Sequence, residues 1–598
     1  RSESSFDLQM APAAPVVGVW FRKALRLHDN AALLAASEVK DAHVLPFFVL
    51  DTDQFTTERF SVNRFRFLFD GLRDLDDQLK QKFGSKTHGL VVIRGAVEKV
   101  IEGLCKGTAG DTPLNLAGLD GVKLSHLFYE FDSGPYGRQR DTRVEGVAKQ
   151  LGIEVKSFGG HTLLDLKKLK DKPGLKLPTT MSMIQDLVAK EFNCASKERL
   201  DKIPKCLPTP TELGPLPDVV VKAINESQSA THKSLAKDSL TIPDTSELYH
   251  ESPSAESALE WPGGESAALK RLEAVVSAIS QREYICQFEK PRTSSTNTPP
   301  AANTKEGWTK PSTTGLSPYL AQGSLSVRQL WHAIQAQYDA AKGKHSKPPM
   351  SLQGQLLFRE QFYVLGYCVE NFHLPTGNPM CKDIRWSGGE SGSNGNTLVA
   401  TEAKEKLKAW QQGQTGFPLI DALMRQLVTT GWMHHLGRHA VACFLTRGDL
   451  YLNWTHGRDF FDKHLLDGDW AINNGNWLWL AGVAPYSSPW FRVYSPSPPV
   501  TGKQSALNCE QTGEFVRYWV PELNKVKGGF PTKFIYEPWK ASSLVQNSAK
   551  CIIGKDYPKP IVDHSSQSKD NLVFFKRSLD DLAATKNALE PATKRQKC

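Results

Sequence analysis

The sequence predicts two parts: an amino-terminal α/β domain built on a parallel sheet, and a larger, all-helical carboxy-terminal domain. Through residue 160, short β-rich runs alternate with helical stretches, which is typical of a parallel sheet with helices on its faces. From residue 261 onward, long segments with apolar residues at helical spacing follow one another. With 598 residues, 40% of them hydrophobic, the chain can form a core in each part and is not a disordered protein.

The buried strands of the first domain are predicted at 16–21, 43–50, 89–95, 124–132 and 153–158, with a helix over 63–83. The helical patterns of the second domain cover 265–280, 325–340, 352–372 and 417–445. Neither GxGxxG nor GxxxxGK[ST] occurs, so the usual dinucleotide and P-loop sites are not expected.

Composition divides the chain further. Residues 1–9 are interpreted as a remnant or processed leader, 10–160 as the α/β domain, 161–260 as a linker, 261–586 as the helical domain and 587–598 as a short basic tail. The linker is rich in Lys, Pro, Ser and Thr, which predicts little regular structure. A glycine- and serine-rich stretch at 387–396 is interpreted as a surface insertion.

Charge and cysteine usage narrow the class of protein. The net charge of +9 suits a protein that approaches a phosphate backbone, and equally an ordinary, slightly basic protein. No two of the ten cysteines are closer than twelve positions, which excludes CxxC pairs and favours reduced thiols inside a cell. No apolar run approaches 18 residues, so no membrane span and no membrane partner are expected. We expect a monomer.

Two short motifs carry candidate chemistry. TTGLSPYL (313–320) places hydroxyls and a glycine before a helix, where they could face a phosphate, although an ordinary helix cap explains them too. In GWMHHLGRHA (431–440), His435 and His439 lie one helical turn apart beside Arg438. This pair could bind zinc, donate protons or simply pack; because the glutamate of HExxH and a third ligand are missing, no metal site is predicted.

A third motif, LLDGDWAINNGNWLWL (465–480), crowds carboxylates, asparagines and tryptophans together. Asp467 and Asp469 lie among apolar residues and therefore need a cation or a donor-rich ligand, for which Arg359 and Arg438 are candidates. Core packing of aromatic residues is the alternative interpretation of this segment.

From Val16 to about Lys586 these motifs, together with WFRKALRLHDN (20–30), YEFDSGPYGRQRD (129–141), WPGGE, GQLLFRE and GDLYLNW, resemble the photolyase and cryptochrome family in content and order. HHLGRH is similar to the (6-4) photolyase and animal-like cryptochrome branch, as found in algal animal-like cryptochromes. The resemblance implies a Rossmann-like α/β antenna domain and an all-α domain that holds FAD.

The residues that the resemblance assigns to FAD are Thr313, Thr314, Gly315, Leu316, Ser317, Gln355, Arg359, His435, Arg438, Asp467, Asp469 and Asn473. Asn473 corresponds to the residue opposite flavin N5, where an asparagine favours the fully reduced flavin. Both aspartates would face the ribityl chain and the ring edge.

The implied reaction is light-driven electron transfer from reduced FAD to a (6-4) pyrimidine–pyrimidone lesion, flipped out of UV-damaged DNA. His435 would protonate the lesion, and His439 would orient or share that proton. Residues at lesion- or DNA-facing positions are Lys290, Gln355, Phe358, Trp479, Arg492 and Tyr494. Phe358 replaces the family's usual tryptophan and offers a stacking face without an N–H donor.

An electron-transfer chain is also implied. Trp477, Trp454 and Trp386 match the proximal, middle and distal tryptophans of the family. Tyr451 is predicted as a fourth donor, on the helical face of Trp454 if that segment is helical; the alternative is a tyrosine that anchors a helix end with its hydroxyl in water.

Other functions stay open at this point. The same histidines occur in cryptochromes, so a photoreceptor or clock-type protein with signalling partners is the alternative to repair, and a flavin-binding structural protein is a third interpretation. The α/β domain could hold an antenna chromophore, with 8-hydroxy-deazaflavin favoured over folate, or no antenna at all. KRQK (594–597) resembles a minimal nuclear signal, so the nucleus is predicted, with cytoplasm or chloroplast as alternatives.

Overall fold

The computed structural model describes residues 14–106, 119, 122–229, 242–249, 251–298, 307–387, 400–487, 489–500, 506–526 and 529–589. The described residues form two compact units. The first contains Arg1–Thr56, Phe69–His161 and Cys206–Glu247, and the second contains Thr57–Leu68, Thr162–Lys205 and Leu248–Cys598. The predicted leader, most of the 387–396 insertion and KRQK lie outside the described residues.

The first unit is built on a five-stranded parallel sheet with the order β3-β2-β1-β4-β5. Its strands are β1 (Val16–Phe21), β2 (His43–Leu50), β3 (Val91–Arg94), β4 (His126–Glu130) and β5 (Glu154–Phe158). In the register, Val17 pairs with Val44 on one side and His126 on the other. The predicted α/β class is therefore confirmed, because β-branched and aromatic residues buried on both faces favour this arrangement.

The helices, in chain order, are α1 (Ala31–Ser37), α2 (Val62–Phe83), α3 (Val97–Lys106), α4 (Pro135–Gln150), α5 (Leu166–Lys170), α6 (Met181–Glu191), α7 (Asp218–Ser229), α8 (Ala255–Glu260), α9 (Glu265–Leu272), α10 (Arg282–Gln287), α11 (Ser317–Gln322), α12 (Val327–Ala340), α13 (Leu352–Cys368), α14 (Ala400–Gln411), α15 (Pro418–Thr430), α16 (His435–Cys443), α17 (Trp454–His464), α18 (Trp470–Leu480), α19 (Glu514–Trp519), α20 (Ser543–Ser548) and α21 (His564–Leu589). From residue 248 onward the described chain is helical with connecting loops, which confirms the predicted all-α domain.

The segment 161–260 has more regular structure than predicted. It contains α5 to α8, and Ile184 and Val188 of α6 are fully buried where this helix packs on α13. The amides of Leu163 and Leu164 donate to the buried carboxylate of Glu360. Apolar residues at helical spacing thus fold this stretch onto the core despite its prolines.

The helical pattern over 417–445 forms two helices rather than one. α15 ends at Thr430 because Gly431 has φ +75°, and α16 begins at His435. α16 is followed by a π-helical turn over Phe444–Gly448. The break aims the start of α16 at the cavity of this unit.

None of the described helices is long and apolar enough to span a membrane.

Candidate functional site

A deep cavity lies within the second unit and contains about 1500 Å³ free of protein atoms, part of it open to solvent. Of the predicted site residues, those that line this cavity are Lys290, Thr313, Thr314, Gly315, Leu316, Ser317, Gln355, Phe358, Arg359, His435, Arg438, His439, Asp467, Asn473 and Trp477. Residues far apart in the chain thus meet in one place, as ligand sites between packed helices require.

One wall is the loop that runs into α11. Gly315 has φ +60°, and a Cβ there would lie 2.5 Å from Nη2 of Arg271 and 2.9 Å from the Trp261 ring. Arg271 Nε donates to the Thr314 carbonyl at 2.9 Å, so the loop is held close against this side chain. The absence of a side chain at Gly315 lets the loop pack this closely, and Thr313, Thr314 and Ser317 of the same segment line the cavity.

Asp467 is the acidic group of the cavity. Its Oδ2 accepts hydrogen bonds from Ser317 Oγ at 2.7 Å and from Arg438 Nη2 at 2.9 Å. Its Oδ1 is buried and has no hydrogen-bond partner among the described residues. Because a buried carboxylate oxygen needs a donor, this atom fits a ligand rich in hydroxyl or N–H groups.

Asp469, which is predicted to face the cofactor, is not among the residues that line the cavity. Its Oδ1 accepts the N–H groups of Ala471 and Ile472 at the start of α18, at 3.0 and 3.1 Å. Its Oδ2 accepts the Tyr363 hydroxyl at 2.6 Å. The side chain is therefore consumed as a helix cap, a role that Asp favours at a helix start.

Asn473 and Trp477 share the cavity-facing side of α18, as their spacing of four predicts. Asn473 Nδ2 donates to the Arg458 carbonyl at 2.9 Å, which fixes the orientation of the amide. The Trp477 ring packs against Phe461, with centroids 5.0 Å apart at 72°.

The two predicted histidines lie on α16 with ring centroids 5.8 Å apart. Burial lowers the pKa of His439 to about 3, and burial also lowers that of His435 well below its usual value; the charge of Lys290 acts in the same direction on both. Both imidazoles are consequently neutral at pH 7 in the DNA-free protein. Burial, assisted by Arg438, in turn lowers the pKa of Lys290 to about 8.

Three predicted DNA-facing residues flank His439 without lining the cavity. The Trp479 ring packs edge to face against the His439 ring, with centroids 5.0 Å apart. The Tyr494 Oη atom lies 3.3 Å from His439 Nδ1. The Arg492 guanidinium stands 5.6 Å from the Tyr494 ring. All three belong to the same aromatic and cationic rim.

Arg447 and His434 were missed by sequence reasoning. Buried Arg447 donates to the carbonyls of Leu480 at 3.2 Å and Trp490 at 3.0 Å, and also to that of Arg492, and so holds the rim segment. His434 caps α16. Its position just before a helical run was the available signal; nothing in the sequence distinguishes Arg447.

Of the predicted electron-transfer residues, Trp477 lines the cavity, Trp454 is fully buried in the surrounding core and Trp386 is half-buried. Tyr451 contacts Trp386, with ring centroids 5.1 Å apart. It does not lie on a helix with Trp454: it has φ +53° in the loop before α17. Its hydroxyl is buried beside Ser578 rather than in water, and burial raises its pKa.

Charged side chains of the first unit cluster where β1, β2 and β4 end. Arg22 forms a bidentate pair with Asp141, and the buried Arg140 lies 3.8 Å from Asp51 and 3.6 Å from Asp132. The carboxyl ends of parallel strands are where such sheets bind ligands. Among the described residues of the chain, no cluster of three or more candidate metal ligands occurs.

Comparison with known proteins agrees with this geometry. Residues 17–205 match the DNA photolyase family model, and residues 351–577 match that of the FAD binding domain of DNA photolyase. The chain is 37% identical to a (6-4) DNA photolyase of Arabidopsis thaliana, over 92% of this chain and 86% of that protein. The chain belongs to the photolyase and cryptochrome family.

Within this family the chain is also 36% identical to Cryptochrome-1 of Sylvia borin, over 94% of this chain and 78% of that protein. The crystal structure of a class III photolyase from Agrobacterium tumefaciens matches with a TM-score of 0.66 at 25% identity, covering 96% of this chain and all of that one. The cavity lining from Leu352 to Leu480 lies within the residues that match the FAD binding domain. The unpartnered Asp467 oxygen and the hydroxyl-bearing residues Thr313, Thr314 and Ser317 of the lining fit FAD as the cofactor.

Proposed function

We propose that this protein is a blue-light-driven, FAD-dependent (6-4) DNA photolyase, which repairs pyrimidine–pyrimidone photoproducts in UV-damaged DNA. The observation that carries the proposal is that His435 and His439 line the same cavity as Asn473. A proton donor pair beside a flavin site suits a reaction that couples electron and proton transfer.

The chain's own residues would hold FAD through the loop 313–317, the Arg438–Asp467 pair and the amide of Asn473. Bound there, FAD supplies the electron that starts lesion opening after light absorption. Arg359 lines the cavity and lies 3.5 Å from the Tyr363 hydroxyl, which in turn donates to Asp469. Asp469 therefore acts on the site through its neighbours.

A flipped lesion would enter past Trp479 and Tyr494 and stack on Phe358. Unstacking costs a few kcal/mol, less for damaged bases. Lys290 would pair with a phosphate or with the lesion. The paired anion would then offset its positive charge, so that Lys290 would repel a proton on His435 less strongly. With that repulsion reduced, the pKa of His435 rises, and the imidazole can hold the proton that the lesion takes up.

Light-dependent repair of a duplex that contains one (6-4) T–T lesion tests this proposal. We expect restored thymines with the FAD-loaded, reduced protein, and a loss of repair of about 10²–10⁴-fold for His435→Asn at unchanged FAD content. A control, His332→Asn, removes an imidazole of α12 whose Nε2 lies 2.9 Å from the Pro204 carbonyl, outside the cavity lining, and should repair normally. Absence of repair by the reduced wild-type protein would exclude the proposal.

A photoreceptor role with signalling partners is the second candidate, favoured by the contact between Tyr451 and Trp386. The four aromatic residues would pass an electron from Tyr451 through Trp386 and Trp454 to Trp477 at the cavity. Oxidised Tyr451 would give up its phenolic proton by way of the neighbouring Ser578 hydroxyl to solvent. Because the neutral radical must regain that proton when charge returns, recombination would be slow and the light-induced state would persist.

Transient absorption of Tyr451→Phe checks this role. We expect loss of the tyrosyl signal and at least about a tenfold faster recovery of the dark state, because a protonated tryptophan radical recombines without a preceding proton transfer. The matched variant Tyr557→Phe removes a buried hydroxyl bonded to Asp421, and should leave recovery unchanged. An unaltered tyrosyl signal in Tyr451→Phe would reject the donor assignment.

Three further features complete the proposal. An 8-hydroxy-deazaflavin antenna, rather than folate, would bind the first unit, for which the charged cluster at the strand ends is the candidate site. A nuclear location agrees with a DNA substrate and with KRQK. The protein would act as a monomer. An absorption spectrum of the purified protein tests the antenna. Light microscopy of a variant without residues 590–598 tests the nuclear location, and light scattering tests the monomeric state.

A further inference from the structure

His434, the residue before the two cavity histidines, joins two parts of the site. Its Nδ1 accepts the N–H of Leu436 at 3.1 Å, which caps α16. Its Nε2 lies 2.9 Å from Oγ1 of Thr293, and that hydroxyl donates to the Lys290 carbonyl at 2.7 Å. One buried imidazole thus connects the helix that begins at His435 with the turn that carries Lys290.

The hydrogen positions along this chain follow from its two ends. A backbone N–H only donates, so Nδ1 of His434 carries no proton while it accepts from Leu436. The single proton of the neutral ring is therefore on Nε2 and is donated to Thr293 Oγ1, whose own proton goes to the Lys290 carbonyl. A second proton on His434 would break the cap.

The surroundings oppose such a second proton. His434 is 1% exposed, and burial, followed by the charges of Lys290, Arg438 and His439, lowers its pKa well below the usual value. The ring of His435 lies 4.2 Å away, centroid to centroid. Of these two neighbouring rings, only that of His435 lines the cavity, where it can reach a bound ligand. The His434 ring is held by its two hydrogen bonds.

The Lys290 turn is held independently from its other side. Nδ2 of Asn508 donates to the carbonyls of Pro291 at 2.7 Å and Thr293 at 3.3 Å. The turn is thus held by the Asn508 amide on one side and by the His434 imidazole on the other. Of these two groups, His434 also caps α16.

We propose that His434 is a positioning residue of the repair site: locked as the Nε2-protonated neutral tautomer, it holds Lys290 and His435 in register through Thr293. This rests on the function proposed above. In the repair reaction His434 neither touches the lesion nor exchanges a proton. Because it stays neutral, proton exchange with the lesion is confined to His435 and His439.

Two variants separate the halves of this link. Thr293→Val keeps the shape and the helix cap but removes the hydroxyl that connects His434 to Lys290. His434→Asn keeps a capping side chain, since Asn accepts at helix starts, but removes the Nε2 donor. Thr162→Val serves as the control, because Thr162 is a buried threonine whose hydroxyl likewise donates to a backbone carbonyl, at 2.6 Å.

Repair of the (6-4) T–T duplex is measured against pH together with FAD content and melting temperature. For Thr293→Val and His434→Asn we expect full FAD content, a KM raised about tenfold through the displaced Lys290, and a shifted pH of half-maximal kcat. Thr162→Val should lower the melting temperature alone. Unchanged KM and pH profile in both site variants would reduce His434 to a structural residue and overturn the proposal.

A second measurement does not depend on repair. In ¹⁵N spectra of histidine-labelled full-length protein in the dark, assigned with His434→Asn, the His434 ring should remain neutral and Nε2-protonated from about pH 5 to about pH 9. Titration in that range, or a proton on Nδ1, would overturn the proposal even if the wild type repairs DNA. A locked ring in a protein that does not repair would instead discard the proposed function.

Discussion

Burial gives single residues of the cavity a chemistry that differs from that of their free side chains. The ammonium of Lys290 and the imidazole of His439 both lose affinity for protons, because the charged forms are poorly solvated there and repel one another. Asp467 keeps an unpartnered oxygen close to Arg438. The site is therefore prepared for an anionic and donor-rich ligand before any ligand binds.

The lowered pKa of Lys290, about 8, predicts pH-dependent DNA binding. A phosphate binds the protonated ammonium, so affinity is full below this value and falls as pH rises through it. We expect binding of lesion duplex to weaken about tenfold per pH unit above about pH 8.5. Lys290→Arg keeps its charge and should bind independently of pH up to about pH 10. Fluorescence anisotropy measures both proteins; parallel pH curves would contradict the assignment.

At the scale of elements, helix boundaries decide what faces the cavity. Gly431 ends α15 and lets α16 start at His435, while Gly315 lets the loop before α11 approach Arg271. In α18 the cap by Asp469 sets the start of the helix, and hence the direction of Asn473. Glycines and short polar residues at helix ends thus decide where a helix begins and which side chains face the cavity. The apolar face of each helix decides only what it packs against.

Gly315→Ala is predicted to lose FAD. The new Cβ would require Arg271 and Trp261 to move, and φ +60° adds strain of about 1–2 kcal/mol for a residue other than glycine. Flavin absorbance per protein should fall at least severalfold. Gly343 has a similar φ of +76°, and no atom lies within 4 Å of the place that a Cβ would take there, so Gly343→Ala should cost comparable backbone strain without the clash and keep FAD. Equal FAD loss in both variants would implicate general instability.

For the whole molecule, a net charge of +9 and a basic loop beside the cavity favour binding of a phosphate backbone. Lys342, Lys344 and Lys347 are exposed on the loop between α12 and α13. The same loop is tied to the cavity wall, because the Met350 carbonyl accepts the N–H of Lys290 at 3.1 Å. The backbone of this loop is therefore attached to the cavity wall at Met350.

Replacing these three lysines by glutamine should lower the salt dependence of binding to undamaged duplex DNA. Each lost phosphate contact reduces the slope of log K against log salt by about 0.9. We therefore expect a decrease of about two to three for the triple variant, measured by anisotropy titrations at several salt concentrations.

The charge-matched control replaces Lys176, Lys404 and Lys408, which are exposed elsewhere on the second unit. It changes net charge equally and should leave the slope within about one unit of the wild type. The same slope in both triple variants would mean that the loop has no particular part in DNA binding.

The sequence alone determined the parts that depend on local pattern. β1 and β2 occur at the predicted residues, because a run of buried β-formers has few other structures available. His435 and His439 share a helix face because their spacing matches one turn. The resemblance to the photolyase and cryptochrome family, carried by motifs along the chain, also named half of the residues that line the cavity.

Only the tertiary structure decided the outcomes that depend on distant partners. Asp469 is turned into a helix cap bonded to Tyr363, Tyr451 meets Trp386 from a loop, and His434 reaches Thr293 across 141 positions. Spacing within a segment constrains which side chains share a face of it. Such spacing carries no information about which donor or ring from a distant part of the chain lies opposite that face. Burial against those distant groups sets the hydrogen bonds and the pKa of each side chain.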